Sequence, residues 1–479
     1  MLGKAPVRSR NGPNKSMSHR HSPLSRQGNI SPRRIGLVGL LLALHSAALY
    51  GAVLPAPAPG APREVAQQVA TLIENNYFDA SKAQSIAKDL REAAQKGRFD
   101  PLADPRDLAA KLTARLQPLD HHFRVRWSPP EPSASKGNSA EAAGPELSLE
   151  TLERRNAYGF RRVEILPGSI GYIDLRSFAD FSFGKPDEPA RKAMEAALTL
   201  VSNADAVIID LRNNGGGSPA MVGYLVSAFT PPGANIYNEF HQRDSSDSER
   251  PEESYPKPRL DVPLYVLISG RTGSAAESTA YTLQAAKRAT IVGAVSVGAA
   301  HPGGEFPVGD GFFVFISTSQ AINPITGTNW EGVGVKPDVT VSPEKALERA
   351  EVLALEAILK NSQPLANSRP EDIETRWTLE ALRAEASPVK GPPLTDYVGA
   401  YAGAEISTEN GYLALRRGNR PPWALVRIRG DVFCVKDEPF RRVLFERDSA
   451  GHGVTRLELV RAGGAATWFL KSTAVAPAP

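Results

Sequence analysis

The stretch Tyr265-Val-Leu-Ile-Ser-Gly-Arg-Thr-Gly273-Ser274-Ala275-Ala276-Glu277 reads as a buried strand that turns sharply at Gly273 and feeds a helix, with Ser274 at its first turn. That geometry holds a hydroxyl over the positive end of a helix dipole, beside backbone N–H groups that lack an intrahelical partner. Two readings of the serine stand side by side. It is placed as an acyl-transfer nucleophile would be. It also fits the capping box, in which Ser274 and Glu277 each satisfy an orphan donor.

Working outward, residues 158–345 alternate strand and helix. Strands are expected at 160–165, 170–175, 206–212, 264–269, 289–297 and 312–318, and helices at 188–202, 219–229 and 274–288. Continuous apolar runs such as Ala206-Val-Ile-Ile209 indicate strands covered on both faces, hence an α/β layered core with its site at the strand ends. Upstream, residues 62–127 carry apolar positions at helical spacing (Val65, Val69, Leu72, Ile73; Ile86, Leu90; Leu108, Leu112, Leu116) and read as a helical cap. Residues 128–157 begin with a Pro, Ser, Ala and Gly-rich run and read as a flexible connection. Residues 346–389 read as a helical linker. Residues 390–479, with short alternating segments at 412–415, 425–428, 432–435, 443–445 and 457–460 between turn residues, read as a small antiparallel β module.

The chain has 479 residues and a net charge of +4, but the charge is unevenly placed. Residues 1–34 hold eight Lys or Arg and no Asp or Glu, leaving 48 basic against 52 acidic side chains in the body. The body therefore has no basic stripe for nucleic acid. Residues 1–61 read as a leader: Arg33-Arg34, then an apolar run over 35–54, then a Pro/Ala spacer, the pattern of an export signal. The run is also long enough to act as an uncleaved anchor in the inner membrane. Either form delivers the body to the periplasm or the extracellular side. Cys434 is the only cysteine, so no intramolecular disulfide and no cysteine metal site is available. No metal cluster or cofactor motif is visible. Oligomeric state cannot be read from the chain.

Three segments bear on Ser274. Asp210-Leu-Arg-Asn-Asn-Gly215-Gly216-Gly217 follows a buried strand, and its glycines permit either an oxyanion cradle or simply a tight strand-to-helix turn. Asp120-His121-His122 places imidazoles after the helical cap. His122 and His301 are candidate general bases, though a histidine is as readily structural or solvated. Trp330-Glu331-Gly332-Val-Gly334 is a constrained loop able to present Glu331 to a histidine, or to leave it solvated.

Together, Asp-Leu-Arg-Asn-Asn-Gly-Gly-Gly, Thr-Gly-Ser-Ala-Ala-Glu and Trp-Glu-Gly-Val-Gly-Val-Lys-Pro-Asp resemble the tail-specific (C-terminal processing) serine peptidases. They are most similar to the branch with interphotoreceptor retinoid-binding protein and the tricorn protease core. The resemblance spans roughly residues 62–345. It implies a crotonase-like α/β core, Ser274 as nucleophile, and an oxyanion hole from the N–H groups of Ala275 and Gly216. It also implies His122 as base and Glu331 as its carboxylate partner; His301, close to the Gly-rich turn after a core strand, is the reserve base. The lysine base of the processing branch is missing, since Val297-Gly298-Ala299-Ala300-His301 stands in its place. The serine that precedes the tricorn-type histidine is here His121, and no PDZ module is recognisable between 126 and 160. The implied activity is exported peptidase action on peptides or unfolded proteins, without a cofactor. A lipid or small-ligand carrier on the same fold is the alternative.

Overall fold

The computed structural model describes residues 61–129, 147–360 and 369–472. These fall within one compact unit, Ala56–Pro479. The leader and the proposed anchor at 35–54 lie outside the described residues. Among the described residues, no helix is long and apolar enough to cross a membrane.

Three helices come first: α1 Pro62–Asn76, α2 Ala80–Gln95 and α3 Pro105–Leu116. Each starts where its sequence dictates. Pro62 and Pro105 occupy first-turn positions that need no N–H, while Asp79 and Asp104 cap α2 and α3 by accepting the N–H groups of Lys82 and Arg106. Their apolar stripes do not close on themselves. They pack with Phe123 and Val125 against Phe312, Val314 and Ile316. Strand β1, Arg124–Trp127, thus lies far from its partner in sequence, and the cap shares its core with residues from beyond 300.

The chain continues through α4 Leu149–Arg155, β2 Phe160–Leu166, β3 Ile170–Leu175, α5 Pro189–Leu200, β4 Ala206–Asp210 and α6 Pro219–Ser227. Then come β5 Glu239–His241, β6 Ser246–Ser248, β7 Leu264–Ile268, α7 Ala275–Ala285, β8 Thr290–Gly293, β9 Gly303–Gly309, β10 Phe312–Ser317, β11 Gln320–Ile322 and β12 Val339–Thr340. The main sheet has the order β12-β8-β7-β4-β3-β2, parallel except for β2 at its edge. The side-chain period of two sends Val207, Ile209, Val266 and Ile268 to the face covered by α5, α6 and α7. Ile208, Tyr265 and Leu267 go to the other face, against α8 Ala346–Lys360 and α9 Pro370–Ala386. A smaller sheet, β1-β10-β9, carries the cap, and a third, β11-β5-β6, flanks the site.

This layout corrects the expected crotonase-like core. The chain builds one open, mixed six-stranded sheet between two helical layers, with separate three-stranded sheets beside it, rather than a self-repeating layered spiral. The helices over 346–386 are likewise not a linker. Ala346, Ala350, Ala354 and Leu355 of α8 are buried on the sheet and supply its second cover. Within the expected connection, described from residue 147, Ser148 caps the two-turn helix α4. The strand expected over 289–297 stops at Gly293, whose φ of 135° and close approach to the Ile268 carbonyl admit no side chain.

The remaining strands, β13 Gly399–Tyr401 through β20 Thr467–Leu470, form an eight-stranded antiparallel meander in sequence order. Tyr397, Leu413, Phe433, Phe445 and Leu457 fill its interior. Its outer face meets α9 through Ala381, Ala384, Val426 and Cys434.

Candidate active site

Strand β7 delivers Ser274 through a turn fastened to the exit of β4. The hydroxyls of Ser269 and Thr272 donate to the carbonyls of Arg212 and Leu211, and Gly273 N–H donates to Asn214 O at 3.0 Å. Ser274 then adopts φ 50° and ψ −121°, left-handed backbone that costs a non-glycine residue roughly 1–3 kcal/mol unless its surroundings over-determine it. The over-determination comes from Glu277. Its carboxylate is fully buried and accepts Ser274 N–H at 2.8 Å, Ser296 Oγ–H at 2.6 Å, Gly298 N–H at 2.6 Å and Ala299 N–H at 2.9 Å. Glu277 is thus more than half of a capping box. The serine side chain makes no capping hydrogen bond and stands exposed at a cavity of 330 Å³ bordered by Gly217, Phe240, Glu249, Ala299 and Trp330.

The glycine loop reaches the serine. A Cβ on Gly216, whose φ is 117°, would come within 2.8 Å of Ser274 Cβ and 3.1 Å of Ala275 N. Yet Gly216 N–H is already donated to Asn214 Oδ1 at 2.8 Å, while Asn214 Nδ2 is anchored on Leu175 O. Among the described residues, the N–H groups of Ala275 and Gly217 make no hydrogen bond, and both residues border the cavity. Ala275 and Gly217 thus keep unbonded N–H groups at the cavity edge, while Gly216 supplies the close approach to Ser274.

His122, His301 and Glu331 come together around a residue not assigned a role from sequence, Asp120. Its side chain is buried and accepts His122 N–H at 2.9 Å and Tyr77 O–H at 3.1 Å. It also meets His122 Nδ1 at 3.0 Å and His301 Nδ1 at 3.2 Å. Glu331 Oε1 is 3.5 Å from His122 Nδ1, and its Oε2 accepts Ala300 N–H at 2.7 Å. Asp120, rather than Glu331, makes the hydrogen bond that orients the imidazole.

Burial pushes the Asp120 carboxyl up, but the hydrogen bonds from both histidines outweigh it and hold the group far below the usual carboxylate range. Burial pulls His122 down, and the Asp120 hydrogen bond with the charges of Glu331 and Asp120 more than offsets it, leaving the imidazole raised. Burial, with Asp120 alongside, keeps the Tyr77 hydroxyl protonated. Also lining the cavity, Glu249 is lifted by burial to about 7, despite hydrogen bonds from Ser278 and Asn238.

Neither imidazole hydrogen-bonds to Ser274 Oγ. The two halves are joined by backbone instead: Ala299 N–H goes to Glu277, and the next amide, Ala300 N–H, goes to Glu331. Lys287 is exposed at the end of α7, where it has no part in the site. His121 lies on the Gly332 turn, and Asp120 takes the position of an orienting group.

Residues 169–341 match the family model described as peptidase family S41, and residues 60–160 match that described as the N-terminal domain of peptidase S41 in eukaryotic IRBP. The carboxy-terminal-processing protease of Bartonella bacilliformis is 29% identical over 311 residues, covering 57% of this chain and 67% of that protein. The chloroplastic carboxyl-terminal-processing peptidase 2 of Arabidopsis thaliana is 29% identical over 226 residues, 43% of this chain and 40% of the relative. Among solved structures, the photosystem II D1 C-terminal processing protease aligns at 18% identity with a TM-score of 0.40, covering 59% of this chain and 94% of that one. The tricorn protease aligns at 15% identity with a TM-score of 0.28, covering 44% and 19%. The family-model matches put the architecture of these peptidases in place of the crotonase-like expectation.

Proposed function

We propose, for a chain that belongs to peptidase family S41, that Ser274 is the nucleophile of a serine peptidase acting outside the cytoplasm on peptides or unfolded proteins. Its hydroxyl attacks the scissile carbonyl, and His122 takes the proton on Nε2 and returns it to the leaving amine. Asp120 holds Nδ1–H and, with Glu331 behind it, stabilises the imidazolium. The N–H groups of Ala275 and Gly217 receive the oxyanion, where each such donor lowers the barrier by roughly 3 kcal/mol. Catalytic hydrogen bonds are commonly long in a free enzyme and tighten when substrate closes the site, so the imidazole must approach Ser274 as substrate binds.

The observation that carries this reading is Ser274 itself, held exposed in left-handed backbone at a cavity that Ala275 and Gly217, both with unbonded N–H groups, also line. An ordinary helix cap needs none of that strain and would spend its hydroxyl on the helix. The site needs no cofactor for this chemistry. Attachment through residues 35–54 would place it at the inner membrane surface.

A fluorophosphonate probe tests the reading. Labelling of the wild type that is lost in Ser274→Ala is expected, and comparing His122→Ala with His301→Ala identifies the base. A folded wild type that takes no label refutes the peptidase and favours the lipid or small-ligand carrier.

A further inference from the structure

Asp120, His122, His301 and Glu331 come from three distant segments, and each offers a ligand atom within 4.8 Å of all the others. Both imidazoles present the same ring atom. His122 Nδ1 stands 3.0 Å from Asp120 Oδ1 and 3.5 Å from Glu331 Oε1, and His301 Nδ1 stands 3.2 Å from Asp120 Oδ2 and 3.9 Å from Glu331 Oε1. Orienting one base requires one histidine on one carboxylate. Two histidines on a shared pair of carboxylates exceed that requirement.

The spacing suits a metal ion. A tetrahedral ion bonded to N and O ligands at about 2.0–2.1 Å keeps neighbouring ligand atoms about 3.3 Å apart; both histidines lie 3.5 and 3.9 Å from the one Glu331 oxygen and 3.0 and 3.2 Å from the two oxygens of Asp120, so a small side-chain adjustment brings one oxygen of each carboxylate to both rings. The outer contacts suit it as well. Tyr77 O–H holds Asp120 Oδ2, and Ala300 N–H holds Glu331 Oε2, which leaves Oε1 turned to the histidines. Two carboxylates balance a divalent charge. Imidazole ligands select a transition metal over calcium or magnesium, which prefer all-oxygen shells. The side chains of His122, His301 and Glu331 are 18%, 14% and 16% exposed, so an ion has a way in.

We propose that these four residues form a binding site for a divalent transition metal, zinc foremost, and that the ion switches off the peptidase site. The regulatory half rests on the reading of His122 as the base. Metal on Nδ1 takes that nitrogen's lone pair, and the ring proton moves through solvent to Nε2 without net gain or loss. Nε2 then carries a hydrogen and cannot accept the one on Ser274. Sequence reading found no cluster because the ligands lie at positions 120, 122, 301 and 331, far apart along the chain.

The test separates the two halves. Metal binding is read on the untagged full chain carrying Ser274→Ala, by titrating Co2+ in metal-free buffer, following its d–d absorption and displacing it with Zn2+. One equivalent with tetrahedral intensity is expected, weakened at least tenfold by adding His301→Ala. Glu331→Gln is the second variant if the first does not fold by circular dichroism. No stoichiometric spectrum, or undiminished affinity in a folded ligand variant, overturns the site. With wild type, one equivalent of Zn2+ is expected to slow fluorophosphonate labelling at least tenfold, with EDTA restoring it. Labelling that proceeds unchanged with the metal bound overturns the switch. A wild type that never labels indicts the peptidase reading and leaves the binding result standing.

Discussion

Glu277 offers the sharpest test of how the site is held. Its Oε1 accepts Ser296 Oγ–H and Gly298 N–H, and its Oε2 accepts Ser274 N–H and Ala299 N–H, all without solvent. Glu277→Gln keeps the shape and turns one oxygen into an NH2 donor. The amide settles with NH2 in the Oε1 place, since there the Ser296 hydroxyl can accept, whereas in the Oε2 place two backbone N–H groups would oppose it. Gly298 N–H is then orphaned, and three charge-assisted bonds fall to neutral strength. Leaving one buried donor unpaired costs roughly 1–3 kcal/mol, and each weakened bond adds less, so the expected destabilisation is about 2–4 kcal/mol. Glu277→Ala orphans all the donors and is expected to cost more. Urea unfolding measures both. Fluorophosphonate labelling should fall roughly 100-fold in the Ala variant, the usual penalty when a nucleophile shifts by about 1 Å. An Ala variant within 1 kcal/mol of wild type that labels at the wild-type rate refutes the claim that this carboxylate fixes Ser274.

Three further outcomes follow from the geometry. Gly216→Ala puts a Cβ within 2.8 Å of Ser274 Cβ on left-handed backbone, so labelling should fall roughly 100-fold with a stability loss of about 1–3 kcal/mol. Unchanged labelling would show that residue 216 does not press on the nucleophile. Asp120→Asn offers an amide where His122 Nδ1–H needs an acceptor, and the wrong tautomer should lower peptide turnover by roughly 10³–10⁴-fold with the fold intact by circular dichroism; a loss below tenfold would hand the orienting role to Glu331. Glu249, held protonated up to about 7 against an ordinary 4.5, binds more protons folded than unfolded between those pH values. Stability therefore falls as pH rises through that window, by roughly 3 kcal/mol. Glu249→Gln should flatten this decline and be the more stable protein at pH 8, and parallel pH–stability curves would refute the assignment.

What was legible in the chain follows from what local pattern can carry. The unbroken runs at 206–209 and 264–268 mark buried strands, and Gly273-Ser274 marks the turn between strand and helix. In the C-terminal module, the segments over 412–460 show themselves by alternation. The edge strands do not, since Ala404–Glu409 buries Ile406 fully and little else, and Thr467–Leu470 buries only Phe469. Strand β9 was hidden by its Gly and Pro content, which it tolerates at the edge of its sheet. Amphipathic α8 announced a helix but not what it covers. Asp120 was invisible as an orienting group because its partners Tyr77 and His301 are 43 and 181 residues away. Gly216 and Gly217 cannot be ranked as donors without seeing Asn214 turn back onto the first.

The loop at 298–301 shows how one short segment can organise both halves of a site. Ala299 offers no side-chain base, but its backbone has a task. Successive amides at 299 and 300 donate to Glu277 and Glu331, the carboxylate beneath the nucleophile and the one behind the imidazoles. Consecutive N–H groups in extended chain point to opposite sides, so one short segment can face both carboxylates, and a shift of the segment moves them together. His301 follows immediately and shares Asp120 with His122. A backbone bridge thus couples the serine's support to the histidine's. On this view, substituting Ala300 by Pro, which deletes the second N–H and also restricts Ala299, should lower fluorophosphonate labelling more than it lowers stability in urea, since Ser274, Ser296 and Gly298 still hold Glu277; unchanged labelling would refute the coupling.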